Sequence, residues 1–247
     1  MASSLSLNQK ALRLYLFLSA IFIASLVACN LIFQKFFVWQ PFTWASFNAA
    51  EGSTWYNITH YAFEISVGII PYPITFLVTD LISEIFGRKK AKQVVIAGLL
   101  AAVFVLLIVV LATGAEATPW SPVNDDTFSQ VFGLTGVAVG ASMAAYLLAQ
   151  LVDVRLFHFW KTLTKGKHLW LRNNFSTILS QLVDTSTVLL LLCGVGAIGW
   201  GKFWILLANG FLFKVLVALF DTPIFYAVTY WARKVFNLAP GEEIKLL

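Results

Sequence analysis

Charge is scarce in this chain. Lys, Arg, Asp and Glu make up 12% of its 247 residues, about half the share usual in a soluble domain. Cysteine occurs twice, and Cys29 and Cys193 stand apart in apolar stretches with no metal-ligand spacing. They read as fillers of a core or of a lipid-facing surface. The three histidines, His60, His158 and His168, have no ligand-like partner in the sequence and read as surface or packing residues. No phosphate-binding Gly-rich loop, dinucleotide fingerprint or His-Glu-x-x-His run is present. The chain therefore does not hydrolyse a nucleotide itself, and no metal or cofactor is expected. A net charge of +5 is spread over short basic clusters between apolar runs, a poor surface for nucleic acid.

What the chain has is oil. Hydrophobic residues make up 59%, with Phe alone occurring 22 times. One soluble core does not hide that much apolar surface, so the excess is expected to face lipid. Six segments are long enough to cross a bilayer, near 14–33, 61–82, 94–112, 131–152, 175–196 and 203–229. Their apolar runs are continuous rather than alternating, which predicts helices and not a barrel. The first is as long as a span and is followed by others, unlike a cleaved signal. The bases alternate with the spans. Lys10 and Arg13 precede the first; Arg88, Lys89, Lys90 and Lys92 follow the second. Arg155, Lys161, Lys165, Lys167 and Arg172 follow the fourth; Arg233, Lys234 and Lys245 follow the sixth. The other loops hold only Lys35 and Lys202. The positive-inside rule then puts both termini in the cytoplasm of a multi-pass membrane protein with one transmembrane domain. On the outer side, Trp39, Trp44 and Trp55 suggest interfacial anchors or a short surface helix, and 113–130 reads as a loop.

A few polar side chains sit at membrane depth, where they ordinarily face protein or a watery cavity. At about 1.5 Å per residue, Asp184 in the fifth span and Lys214 in the sixth both fall near the midplane. They read as an ion pair, either structural or shared with a solute or coupling ion. Gln181 lies one turn from Asp184 on the same helix face, in a stripe with Ser176, Thr177 and Ser180. The letters Gln-Leu-Val-Asp also occur at 150–153. Gln150 and Asp153 fall near the inner end of the fourth span, where Asp153 is expected to pair with Arg155, Lys161 or Arg172. Arg172 has a second reading as a phosphate anchor for lipid, and Asn174 as a helix cap. Gly136 and Gly140 form a small-residue notch suited to close helix packing.

The second span contains PYPITFLVTDLISEIFGRKKAK, residues 71–92. Pro71 and Pro73 fall near mid-depth and interrupt the helical ladder, either as a packing kink or as a broken helix that shows backbone to a solute. Asp80 and Glu84 are four apart on one face. With no His or Cys to complete a metal set, they are expected to neutralise the adjacent bases or form an inner gate. Glu64, Asn30 and Gln34 are candidates for the ligand or the entrance.

That stretch, with Asn30 and Lys35 before it and WLRNNFSTILSQLVDTSTV, Lys214 and Thr222-Pro223 after it, resembles the queuosine precursor transporter family, of the YhhQ or VUT type. The resemblance covers most of the chain, with residues 36–59 left aside. It implies an all-α integral membrane protein, a six-transmembrane-helix bundle similar to the substrate-binding subunits of energy-coupling-factor importers. It implies uptake of 7-deazaguanine bases for tRNA modification across a bacterial inner membrane. The partners implied are that small molecule and membrane lipid, with a homodimer and an energy-coupling ATPase left open. A guanine-like edge offers a ring N–H and an exocyclic amine, which one carboxylate accepts together. Asp184 with Gln181 suits that edge, with Glu64 as the alternative acceptor. Tyr72, Phe76 and Trp204 are candidates to stack on the base. Rival readings are a carrier of another vitamin-like solute, an intramembrane enzyme built on Asp80 and Glu84, and a scaffold without transport.

Overall fold

The computed structural model describes residues 2–32, 35–40, 42–45, 50–132, 136–165, 167–194, 196 and 199–246. For residues 2–6, 36, 64, 66, 136–139, 141, 142, 172 and 173 it describes the backbone only. Among the described residues five helical segments are long and apolar enough to cross a membrane: Leu7–Ile32, Val67–Ile85, Gly87–Thr113, Leu169–Gly194 and Trp200–Phe236. They lie in helices α1 (Ala2–Ile32), α3 (Tyr72–Ile85, with the turn before it), α4 (Gly87–Thr113), α7 (Leu169–Gly194) and α8 (Phe203–Phe236). Short helices α2 (Thr54–Thr59) and α5 (Asp125–Phe132) fall between them. The predicted fourth span, 131–152, falls on α6 (Gly136–Leu163), a helix of 28 residues and about 42 Å.

The bundle keeps an apolar core, and its outer surface is apolar as well. The α4 and α8 surfaces expose Leu100, Phe104, Leu111, Phe220 and Tyr230, as helices bathed in hydrocarbon must. Polar residues are collected at the centre. The middle of the bundle is α3, which touches α1, α4, α6 and α8. Every residue of α3 from Val78 to Ile85 is buried, among them Thr79, Asp80, Ser83 and Glu84. Gly98 lets α1 and α4 approach closely: a Cβ there would lie 2.5 Å from the Phe22 ring. The predicted notch at Gly140 is open instead, with nothing within 4 Å of a Cβ built on it. The helix-facing side of Gly136 is outside the described residues.

The second span differs most from expectation. Residues 61–82 are not one helix. Strand β2 (Phe63–Ser66) pairs antiparallel with β1 (Phe36–Trp39), Phe37 opposite Ile65 and Trp39 opposite Phe63. A 3-10 turn follows at Val67–Ile69, and α3 starts only at Tyr72. Pro71 is the N-cap and Pro73 lies in the first helical turn. Proline has no N–H to donate, and the first turn of a helix has no acceptor for one, so both prolines start α3 rather than kink it. Among the described residues the fold is all-α except for these two short strands. Phe63 and Ile65 of β2 form a small apolar cluster with Phe213 of α8, flanked by Phe37, Trp39 and Ile69. At the other end of α3, Gly87 takes the left-handed conformation (φ +83°) that turns the chain into α4.

Two smaller corrections follow from helix caps. Residues 113–130 are not all loop: Asn124 accepts a hydrogen bond from Thr127 N–H (2.8 Å) and starts α5. Asn174 is not a cap, because α7 already begins at Leu169. It donates instead to Trp170 O (3.0 Å) and meets Thr222 of α8 (3.0 Å).

Candidate functional site

Asp184 and Lys214 meet. Lys214 Nζ lies 2.5 Å from Asp184 Oδ2, tying α7 to α8. Tyr72, in the first turn of α3, donates its hydroxyl to the same Asp184 oxygen (2.5 Å). The Lys214 ammonium also stands 4.5 Å from the centre of the Tyr72 ring, a cation–π contact. Pro71 and Pro73 matter here, because by starting α3 at this depth they aim Tyr72 at α7. Asp184 is 4% exposed, and a carboxylate so buried needs this donor and this cation.

The trio faces a cavity of about 220 Å³ lined by Leu26, Cys29 and Asn30 of α1, Gly68 and Ile69, Tyr72, Tyr146 of α6, Val188, and the ion pair. That is well over ten times the roughly 10–15 Å³ that admits a water molecule. Tyr72 and Tyr146 form one aromatic wall, their rings edge to face at 5.8 Å. The polar groups in the lining are few among apolar ones, the pattern of a small-molecule site.

The structure sorts the predicted site residues. Asn30, Tyr72, Asp184 and Lys214 line the cavity. Gln181 does not; with Phe76, Thr177 and Asp221 it borders a separate void of about 20 Å³ behind Tyr72 and Lys214, room for one water. Its Oε1 is buried with no partner among the described residues. The partner of Asp184 at the cavity is therefore Lys214 rather than Gln181. Trp204 is 75% exposed and away from the site. The side chains of Glu64 and Arg172 lie outside the described residues, as does Gln34. Tyr146 went unnoticed in the sequence, although it stands one turn before Gln150 on the same face and accepts a hydrogen bond from its Nε2 (2.8 Å).

Below the cavity lies a buried polar layer. Thr79 donates to Gln150 Oε1 (3.2 Å), Thr177 to Asp80 Oδ2 (3.2 Å) and Ser180 to Asp153 Oδ1 (2.9 Å). Both Gln-Leu-Val-Asp copies thus face the bundle interior. Gln150 and Asp153 are fully buried, and Lys161, an expected partner of Asp153, is engaged with Glu243 and Glu84. Lys161 bonds Glu243 (2.8 Å) and lies 3.8 Å from Glu84. Glu84 also pairs with Arg233 of α8 (2.6 Å). These ion pairs tie the end of α3 to α6 and α8. Asp80 and Glu84 therefore sit in different layers.

The sequence model of the family described as putative vitamin uptake transporter matches residues 66–228. This chain belongs to that family. The matched stretch holds Tyr72, Tyr146, Asp184 and Lys214, and leaves out α1 and everything after residue 228. Three curated relatives are similar to it. A probable queuosine precursor transporter of Bacillus subtilis is 29% identical over 84% of this chain and 86% of the relative. The queuosine precursor transporter of Escherichia coli is 28% identical over 50% of this chain and 52% of its own length. A probable queuosine precursor transporter of Haemophilus influenzae is 28% identical over 72% and 69% respectively. No solved structure matches the chain. Within this family of transporters the cavity is a candidate solute site in a multi-pass membrane protein.

Proposed function

We propose that this protein carries queuosine precursors, 7-deazaguanine bases, into the cell across a bacterial inner membrane. The observation that carries the reading is the Asp184–Lys214 pair on the wall of the cavity. A deazaguanine presents a ring carbonyl beside a ring N–H and an exocyclic amine. Lys214 supplies a donor for the carbonyl, and Asp184 accepts from the two N–H groups, all charge-assisted bonds. Tyr72 and Tyr146 supply an aromatic flank for the flat ring, and Leu26, Ile69 and Val188 an apolar one. Each charge neutralises the other when the site is empty, so neither stands alone in low dielectric.

Family membership and the names of the three relatives support the solute class. In this reading α6 also crosses the membrane, as the fourth of six spans, the bundle is of the kind that serves as a substrate-binding subunit, and both termini are cytoplasmic. The alternation of basic clusters supports that orientation. A homodimer and a separate energy-coupling ATPase are compatible with it. The family's own description, vitamin uptake, favours a second reading, a different vitamin-like solute in the same cavity.

The test is uptake of labelled 7-deazaguanines by cells unable to make them, with queuosine in their tRNA as readout. The natural chain restores both. Asp184→Asn lowers uptake at least tenfold, the loss of one hydrogen bond to a charged acceptor (about 1.5–3 kcal/mol), while reaching the membrane in normal amount. Failure with every deazaguanine transfers the cavity to the second reading.

A further inference from the structure

After α8 the chain turns back onto the bundle. Asn237 adopts the left-handed conformation (φ +52°) and ends the helix, with Leu238 N–H bonded to Arg233 O (3.0 Å). A turn follows, closed by Glu242 N–H to Ala239 O (3.0 Å) and by Ala239 N–H to the Glu242 carboxylate (2.9 Å). The next residues dock. Glu243 bonds Lys161 of α6. Its carboxylate also covers Gly87, where a Cβ would collide with it. Ile244 N–H donates to Ile85 O (2.7 Å), one of the carbonyls that the end of α3 leaves without a helical donor. Ile244 and Leu246 pack against the main apolar core.

These contacts gather α3, α6 and α8 at one point, because Glu84 holds Arg233 and Lys161 there as well. The same three helices carry Tyr72, Tyr146 and Lys214 to the cavity. Lys214 and Arg233 are nineteen residues apart on α8, about 28 Å, so the docking point is at the opposite end from the cavity. Its two halves differ in exposure. The Glu84 side chain is 2% exposed and Glu243 39%, so water competes for the Glu243 contact and not for Glu84. We infer that residues 238–246 form a releasable latch over the far end of the bundle. Docked, the segment holds α3, α6 and α8 closed beneath a loaded cavity; undocked, it lets them part and the solute leave. This rests on the carrier reading above.

The experiment locks the latch. Lys161→Cys with Glu243→Cys is purified, reconstituted, bridged through both thiols by a reductant-cleavable bis-methanethiosulfonate linker that replaces the length of the two side chains, and assayed with a labelled 7-deazaguanine beside the natural chain treated alike. Bridging, verified by mass, is expected to leave equilibrium binding within twofold, lower uptake at least tenfold, and be reversed by reductant. Equal uptake by bridged and reduced protein overturns the latch. Should the double variant not fold, hydrogen exchange on the natural chain decides: amides of 238–246 exchange faster when the base is added during turnover. Unchanged exchange during measured uptake overturns the latch. If the natural chain neither binds nor takes up any such base, the carrier reading fails, whatever the latch does.

Discussion

Two buried ion-pair clusters among the described residues are made from the same chemistry, and they are finished differently. At one end Asp184, Lys214 and Tyr72 border about 220 Å³ of open space. At the other, a returning segment of chain is seated on Glu84, Arg233, Lys161 and Glu243, and an open pocket of about 500 Å³ lies beside Arg233 without Glu84 in its lining. Burial of the carboxylate makes both pairs expensive to break. Only in the first does that carboxylate line the open space, where a guest can take over one of its hydrogen bonds. The difference teaches that a buried ion pair marks a solute site when its carboxylate borders open space, and a joint when side chains and backbone cover that carboxylate. Between the two lies the layer of Thr79–Gln150, Thr177–Asp80 and Ser180–Asp153 contacts, where carboxylates meet hydroxyls.

Breaking the cavity pair is expected to have the largest effect. Lys214→Ala leaves the Asp184 carboxylate buried without its cation, a loss of about 3–5 kcal/mol. Thermal melting of the detergent-purified protein checks it. The double variant Asp184→Asn, Lys214→Met is expected to recover most of the melting temperature and none of the uptake, which separates the structural from the binding role. The joint is sharpened by comparing its two carboxylates. Glu84→Gln takes the carboxylate from Arg233 and leaves Lys161 with Glu243 alone, and should cost about 2–3 kcal/mol, whereas Glu243→Gln breaks a half-exposed pair and should cost less than about 1 kcal/mol. Equal melting temperatures would show that the two contacts are alike and would remove the contrast between them. A last comparison sets a buried helix glycine against an exposed one. Gly98→Ala pushes against Phe22 and should lose about 1–3 kcal/mol, while Gly140→Ala meets open space and should be neutral or gain up to about 1 kcal/mol of helix propensity. Melting curves of the two variants check both.

Some of this was legible in the letters. Apolar runs of membrane length became helical segments of that length at five places, the second as a 3-10 turn continued by the shorter α3, because hydrocarbon leaves the backbone no other partner than itself. Asp184 and Lys214 stood out by depth alone, since a charge in oil needs a reason. The polar stripe of α7 was visible at helical spacing, but its roles were not. Gln181 and Asp184 share a face in sequence, yet that face spans two voids, and Tyr72 with Lys214 stands between them. Tyr146 was one tyrosine among seven, and nothing in its neighbours announced that α6 would bring it to α3. The β1–β2 ribbon hid inside an apolar stretch that hydropathy reads as span, because a short buried strand and a helix segment have the same composition.

The sequence by itself determined that this chain lives in a bilayer, roughly where it crosses, and that a handful of polar residues would have to find one another inside it. These follow from transfer energies, which depend on what each residue is and not on what lies beside it. Tertiary structure alone decided the pairings: Asp184 with Lys214 and Tyr72, Glu84 with Arg233 and Lys161, and the segment after α8 with the end of α3. Those contacts join residues 30 to 160 positions apart, and which of several available charges comes within hydrogen-bonding distance is settled by how helices pack.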